Sequence, residues 1–120
     1  MTKFYVFFFL LISVASCSKI EPKKTWTVKY QLLNVGNAIP TYRVTYILRN
    51  GSTKTEGPIN SYNWESENLA EFEDGTPVFL EIEIISGKGQ YELIILRNGA
   101  FHEKEIMPQN ETHYKLESEI

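Results

Sequence analysis

The chain has 120 residues, 12 basic against 15 acidic, a net charge of -3. That is one domain's length, and it lacks the basic excess that a nucleic-acid binder needs to displace phosphate counterions. A hydrophobic content of 42%, with seven Tyr and seven Phe, supplies a core and leans toward β structure. The single cysteine rules out an internal disulfide, so the fold must rest on its apolar core.

The chain opens with a short charged start, Met1-Thr2-Lys3, then the apolar run Phe4 to Ile12, then the small residues Ser13 to Ser16. Those are the three regions of a secretory signal. The apolar run falls short of the roughly 20 residues that a spanning helix takes. Val14-Ala15-Ser16-Cys17 resembles the lipobox of bacterial lipoproteins. That resemblance implies cleavage between Ser16 and Cys17, diacylglycerol on the Cys17 sulfur and an acyl chain on its amine. Several acyl chains, at about 0.8 kcal/mol per buried methylene, give durable membrane attachment. The expected organisation is a signal peptide over 1–16, lipidated cysteine and tether over 17–24, and one domain over 25–120. Lys19, Lys23 and Lys24 in the tether read as solvated.

Past the tether, alternation with period two dominates. Trp26, Val28, Tyr30 and Leu32 line one face of a first strand, and Tyr42, Val44, Tyr46 and Leu48 one face of a second. Residues 34–40 connect them. Asn50-Gly51 suits a type I′ hairpin turn. The polar stretch Ser52 to Glu56 then reads as a guarded edge strand, ended by Gly57-Pro58. Ile59 to Trp64 reads as a further strand with Tyr62 and Trp64 on one face. Residues 65–75 are acidic and irregular, and Leu69 and Phe72, three apart, suggest one helical turn under the domain.

Val78, Leu80, Ile82 and Ile84 form the next clean strand, with Glu81 and Glu83 facing out. After the turn Ser86 to Gly89, Tyr91, Leu93 and Ile95 face inward, while Ile94 and Leu96 make this strand apolar on both sides, as in a central strand. Asn98-Gly99 is a second hairpin turn, leading into Phe101 to Met107. Pro108 breaks that strand, and Tyr114, Leu116 and Ile120 belong to a last one. Seven or eight short strands without a long helix predict an all-β, antiparallel sandwich.

Tyr42-Arg-Val-Thr-Tyr46 with Asn50-Gly51, then Pro58 and Trp64, then Leu93-Ile-Ile-Leu-Arg-Asn-Gly99, are similar to segments of small single-domain lipoproteins of Bacteroidota-type bacteria. A looser likeness is to the periplasmic domain of the MmpS transport-accessory family. The resemblance covers most of 26–120 and implies an immunoglobulin-like sandwich. Its motifs specify turns and core positions, so it carries no catalytic residue and no cofactor.

Convergent chemistry is sparse. His102 and His113 fall on outward positions of the last two strands and would share a metal only if those strands pair and a third ligand joins them. They read as two solvated histidines, and no metal is expected. The acids Glu65, Glu67, Glu71, Glu73 and Asp74 lack the order of a calcium loop. No nucleophile motif or phosphate loop is present. Asn110-Glu111-Thr112 fits a glycosylation sequon by coincidence. Two surfaces remain. Tyr62, Trp64 and Phe72 are candidate contacts for a small ligand or glycan, within a group with Tyr30, Tyr42 and Tyr46 that otherwise reads as core. Ile47, Phe79 and Ile85, on the outward phase of their strands, are candidate contacts for a protein. The expected function is a non-enzymatic, membrane-anchored interaction domain of the cell envelope, with another envelope protein as partner. The alternative is a ligand or glycan binder, and a metal-assisted hydrolase around the histidines comes third.

Overall fold

The period-two runs fold as strands in a computed structural model of the chain, which describes residues 24–120. The cleavage site and Cys17 lie outside the described residues. Nine strands follow in order: β1 (Thr25–Asn34), β2 (Thr41–Ile47), β3 (Thr53–Ile59), β4 (Trp64–Glu65), β5 (Leu69–Glu73), β6 (Pro77–Ser86), β7 (Tyr91–Arg97), β8 (Ala100–Ile106) and β9 (His113–Glu119). All pair antiparallel, in two sheets. One sheet runs β4-β1-β7-β8, with β5 also beside β1; the other runs β3-β2-β6-β9. The first strand lies inside its sheet, whereas the first strand of an immunoglobulin constant domain, ordered ABED, lies at an edge.

The core is the alternating set itself. Val28, Tyr30 and Leu32 of β1 and Tyr91, Leu93 and Ile95 of β7 face Tyr42, Val44 and Tyr46 of β2 and Leu80, Ile82 and Ile84 of β6. Phe72 of β5, Leu116 of β9, Met107 and Ile120 complete the core. Four tyrosines sit in this apolar space, and each hydroxyl finds an acceptor. Tyr30 donates to the Ile47 carbonyl at 2.8 Å and Tyr91 to the Ser61 carbonyl at 2.9 Å. Among the described residues no buried side-chain polar atom lacks a partner, as a dry core requires.

Three expectations change. The 65–75 segment holds no helical turn; it supplies β4 and β5 at the edge of β1. Phe72 pairs with Trp26 and Leu69 with Val28, so Ala70 and Glu71 together oppose Thr27 in a bulge, with Glu71 at φ 65°. The extra residue brings side chains three apart onto one face, which in sequence imitates a helix. Gly57-Pro58 likewise does not end its strand. Both residues oppose Arg43 in a second bulge, and β3 continues to Ile59, on an edge where proline removes no ladder bond. Ile59 to Trp64 is not one strand: residues 60–63 are a loop, and only Trp64–Glu65 pairs.

The two Asn-Gly turns differ. Asn98 and Gly99 both take positive φ, 51° and 82°, as type I′ requires. In the β2–β3 turn only Gly51 does, at 89°. There the Gly51 amide donates to the Leu48 carbonyl, and the Asn50 side chain accepts from the Ser52 amide.

Candidate functional site

The aromatic residues singled out for ligand contact do not form one surface. Phe72 is fully buried in the core. Trp64 packs half-buried against the core, its ring 5.5 Å from that of Tyr46, and its Nε1 donates to Glu56 Oε1 at 3.2 Å. The Tyr46 hydroxyl donates to the other oxygen of the same carboxylate. Burial first, and then the Glu56 carboxylate, raise the Tyr46 pKa above its ordinary value. Only Tyr62 is exposed, and its hydroxyl donates to the Gly36 carbonyl at 3.1 Å.

Ile47, Phe79 and Ile85 are also apart. Ile47 packs against the core at the end of β2. Phe79 and Ile85 sit toward opposite ends of β6, about 20 Å apart at the strand rise. Between them the outer face of the four-stranded sheet is polar. Arg43 and Glu83 pair at 2.6 Å, His113 and Glu81 at 2.5 Å, and Thr45 bonds Thr55 at 3.0 Å. Lys115 lies over the Phe79 ring at 4.4 Å. Thr45 shares a small recess with His113, but its hydroxyl is bonded to Thr55 and not to the imidazole.

The other sheet presents a different face. The register of β1, β7 and β8 places Leu33, Glu92 and Ile106 in one row, Gln31, Ile94 and Lys104 in the next, and Lys29, Leu96 and Phe101 in the third. All lie opposite the core side. Ile94, at the centre, is 1% exposed although it takes no part in the inter-sheet core. Around it Leu33 is 36% exposed, Ile106 51% and Phe101 64%. Lys104 covers part of the Phe101 ring at 4.6 Å. At the margin, hydrogen bonding and charge from Lys29, 3.0 Å away, hold the Glu65 carboxyl below its usual range. The signal for this face was in the sequence: β7 is apolar on both sides, so its second side needs a cover.

The end of the sandwich away from Thr25 carries a cleft of about 500 Å³ between the β1–β2, β6–β7 and β8–β9 loops. Asn37, Lys88, Gln109 and Glu111 line it, with Ile84 among the apolar atoms. Loops far apart in sequence build it, and nothing in the linear pattern marked it.

A scan against protein-family models finds no match, and a search of curated proteins finds no significant relative.

The remaining titratable residues are dispersed. His102 and His113 belong to different sheets. His102 Nε2 lies 2.7 Å from the Glu119 carbonyl, and His113 faces Glu81. Glu71 pairs with Arg49, and Asp74 accepts from the Trp26 indole at 2.9 Å. Among the described residues no three His, Cys, Asp or Glu side chains converge as metal ligands. No described helix is long and apolar enough to cross a membrane.

Proposed function

We propose that the protein is a lipid-anchored component of a bacterial cell envelope whose β-sandwich binds another envelope protein and performs no catalysis of its own. The observation that carries this reading is the outer face of β1, β7 and β8. Leu33, Phe101 and Ile106 stand exposed around a buried Ile94, with Glu92 between Leu33 and Ile106, Lys104 between Ile106 and Phe101, and Lys29 at the remaining corner. Exposed apolar side chains grouped about a buried centre, with charges of both signs among them, suit a protein contact.

Attachment through Cys17 rests on the charged start, the apolar run and the small residues before the cysteine. Surface-exported lipoproteins of the Bacteroidota type often carry an acidic run after the cysteine, so the resemblance, with a single acid in Ser18-Lys19-Ile20-Glu21, implies the periplasmic side of the outer membrane. Kinship with the small Bacteroidota-type lipoproteins belongs to the same proposal. The immunoglobulin-like label is kept for two antiparallel sheets packed face to face, with a strand order of the chain's own.

The test is cross-linked capture of the full chain from its own envelope, with mass spectrometry of the partners. Wild type is expected to retain a specific envelope protein that Phe101→Glu and Ile106→Glu both lose. Equal recovery by the wild type and both variants would sink the reading.

A further inference from the structure

The distal cleft is preassembled. The Val35 amide donates to the Gln90 carbonyl at 2.9 Å, which ties the β1–β2 loop to the β6–β7 loop. Gln90 Nε2 donates to the Met107 carbonyl at 2.8 Å, which ties that loop to the β8–β9 connection. The Ile84 amide donates to the Thr112 carbonyl at 2.7 Å, closing the circuit onto β6. Pro40 lies so close to Gly89 that a Cβ there would come within 2.6 Å of its ring. Walls fixed in advance reduce the ordering cost of binding.

The lining carries balanced charge and free amides on a surface that is more apolar than polar. Asn37, Gln109 and Asn110 present side-chain amides with no partner among the described residues, each offering both donors and acceptors. Lys88 and Glu111 contribute one charge of each sign. Ile84 adds an apolar surface. Gly36, in the β1–β2 wall, is held by the hydroxyl of the exposed Tyr62, which donates to its carbonyl from outside the lining. The volume of about 500 Å³ lies within the range of small-ligand sites. Paired donors and acceptors with no net charge match vicinal hydroxyls and acetamido groups. Lys88 and Glu111 oppose each other's preference, so the lining gives neither an acidic nor a basic ligand a net attraction.

We propose that this cleft binds a short neutral oligosaccharide. Direction supports the assignment. β1 starts at the tether and ends at the cleft, ten residues or about 33 Å on, so the cleft lies at the end of the domain opposite an anchor at Cys17. Only this directional point depends on the anchoring proposal. The cleft shares no residue with the Leu33–Phe101 face.

The test is saturation-transfer NMR on the full chain in a zwitterionic detergent, which carries no sugar headgroup. The probes are neutral trisaccharides of glucose, mannose and N-acetylglucosamine, with a trigalacturonate as the acidic comparator. At least one neutral probe is expected to receive saturation. The transfer should fall fivefold or more in the Asn37→Ala/Gln109→Ala double variant, whose side chains are exposed and do not support the fold. It should be unchanged in Phe101→Ala. No transfer to any neutral probe, equal transfer in the double variant, or a stronger response to the acidic probe would each overturn the proposal. None of these outcomes bears on protein capture by the β1, β7 and β8 face.

Discussion

The hydroxyls of Tyr42 and Tyr91, one from each sheet, converge on Ser61, with their rings 5.0 Å apart. Tyr42 lies 3.2 Å from the Ser61 carbonyl and 3.1 Å from its hydroxyl, and Tyr91 lies 2.9 Å from the same carbonyl. The pair thus holds the 60–63 loop, and Tyr62 with it, onto both layers of the sandwich. Either Tyr→Phe change leaves Ser61 one phenol partner, so each single variant should lose about 1 kcal/mol. The double variant strands the carbonyl and should lose more than the two singles together. Urea unfolding of the four proteins measures both quantities, and strict additivity would show that the shared acceptor does not couple them.

Alkaline pH should unfold the domain. Burial, as the largest cause, raises the pKa values of Tyr30, Tyr42, Tyr46 and Tyr91 above 10. A phenol with a raised folded-state pKa keeps its proton where the unfolded chain has already released it. Its contribution is therefore whole below about pH 10 and lost as the pH climbs through the folded-state values. Stability measured by denaturant titration at a series of pH values should be level near neutrality and fall above pH 10. Removing one phenol, as in Tyr30→Phe, should flatten that fall by at most about 1.4 kcal/mol per pH unit. A slope identical to wild type would contradict the assignment.

Gly89→Ala should destabilise the protein by about 1–3 kcal/mol, because the new methyl meets the Pro40 ring and the packed loops must separate. Thermal unfolding reads the loss. The same change should lower any saccharide response of the distal cleft, whose walls those loops form. A melting temperature equal to wild type would mean that the β1–β2 loop yields freely.

Cys17→Ala should release the protein from membranes. The wild-type chain is expected in the pellet after a carbonate wash and the variant in the supernatant. A variant that still sediments with membrane would remove the lipid from the account.

Strands were legible wherever burial imposes a strict period of two. β1, β2 and β6 carry unbroken inward sets, and the structure keeps them buried except for half-buried Trp26 at the start of β1 and half-buried Leu48, which falls just past the end of β2. Legibility failed where a bulge shifts the phase. At Ala70-Glu71 and at Gly57-Pro58 one extra residue returns the next side chain to the same face. A linear pattern cannot tell that from a helical turn or a strand end. The apolar face was half legible. Ile94 and Leu96 showed that β7 has two apolar sides, but Phe101 and Ile106 join them only through a register that sequence does not state. The cleft was not legible at all, since residues near 37, 88 and 110 meet only after both sheets form.

The flank between β8 and β9 is bridged by side chains rather than by a ladder. Tyr114 donates to Glu105, Ser118 reaches Glu103 at 3.3 Å, and His102 meets the Glu119 carbonyl. Every one of these links is exposed to water. Links of this kind open more readily than a backbone ladder, so transient opening along this seam is expected. Amide hydrogens of β8 should exchange with solvent ahead of those of its neighbour β7, which is bonded on both sides. The same breathing would present a free backbone edge to an incoming strand without disturbing the tyrosines at the heart of the fold.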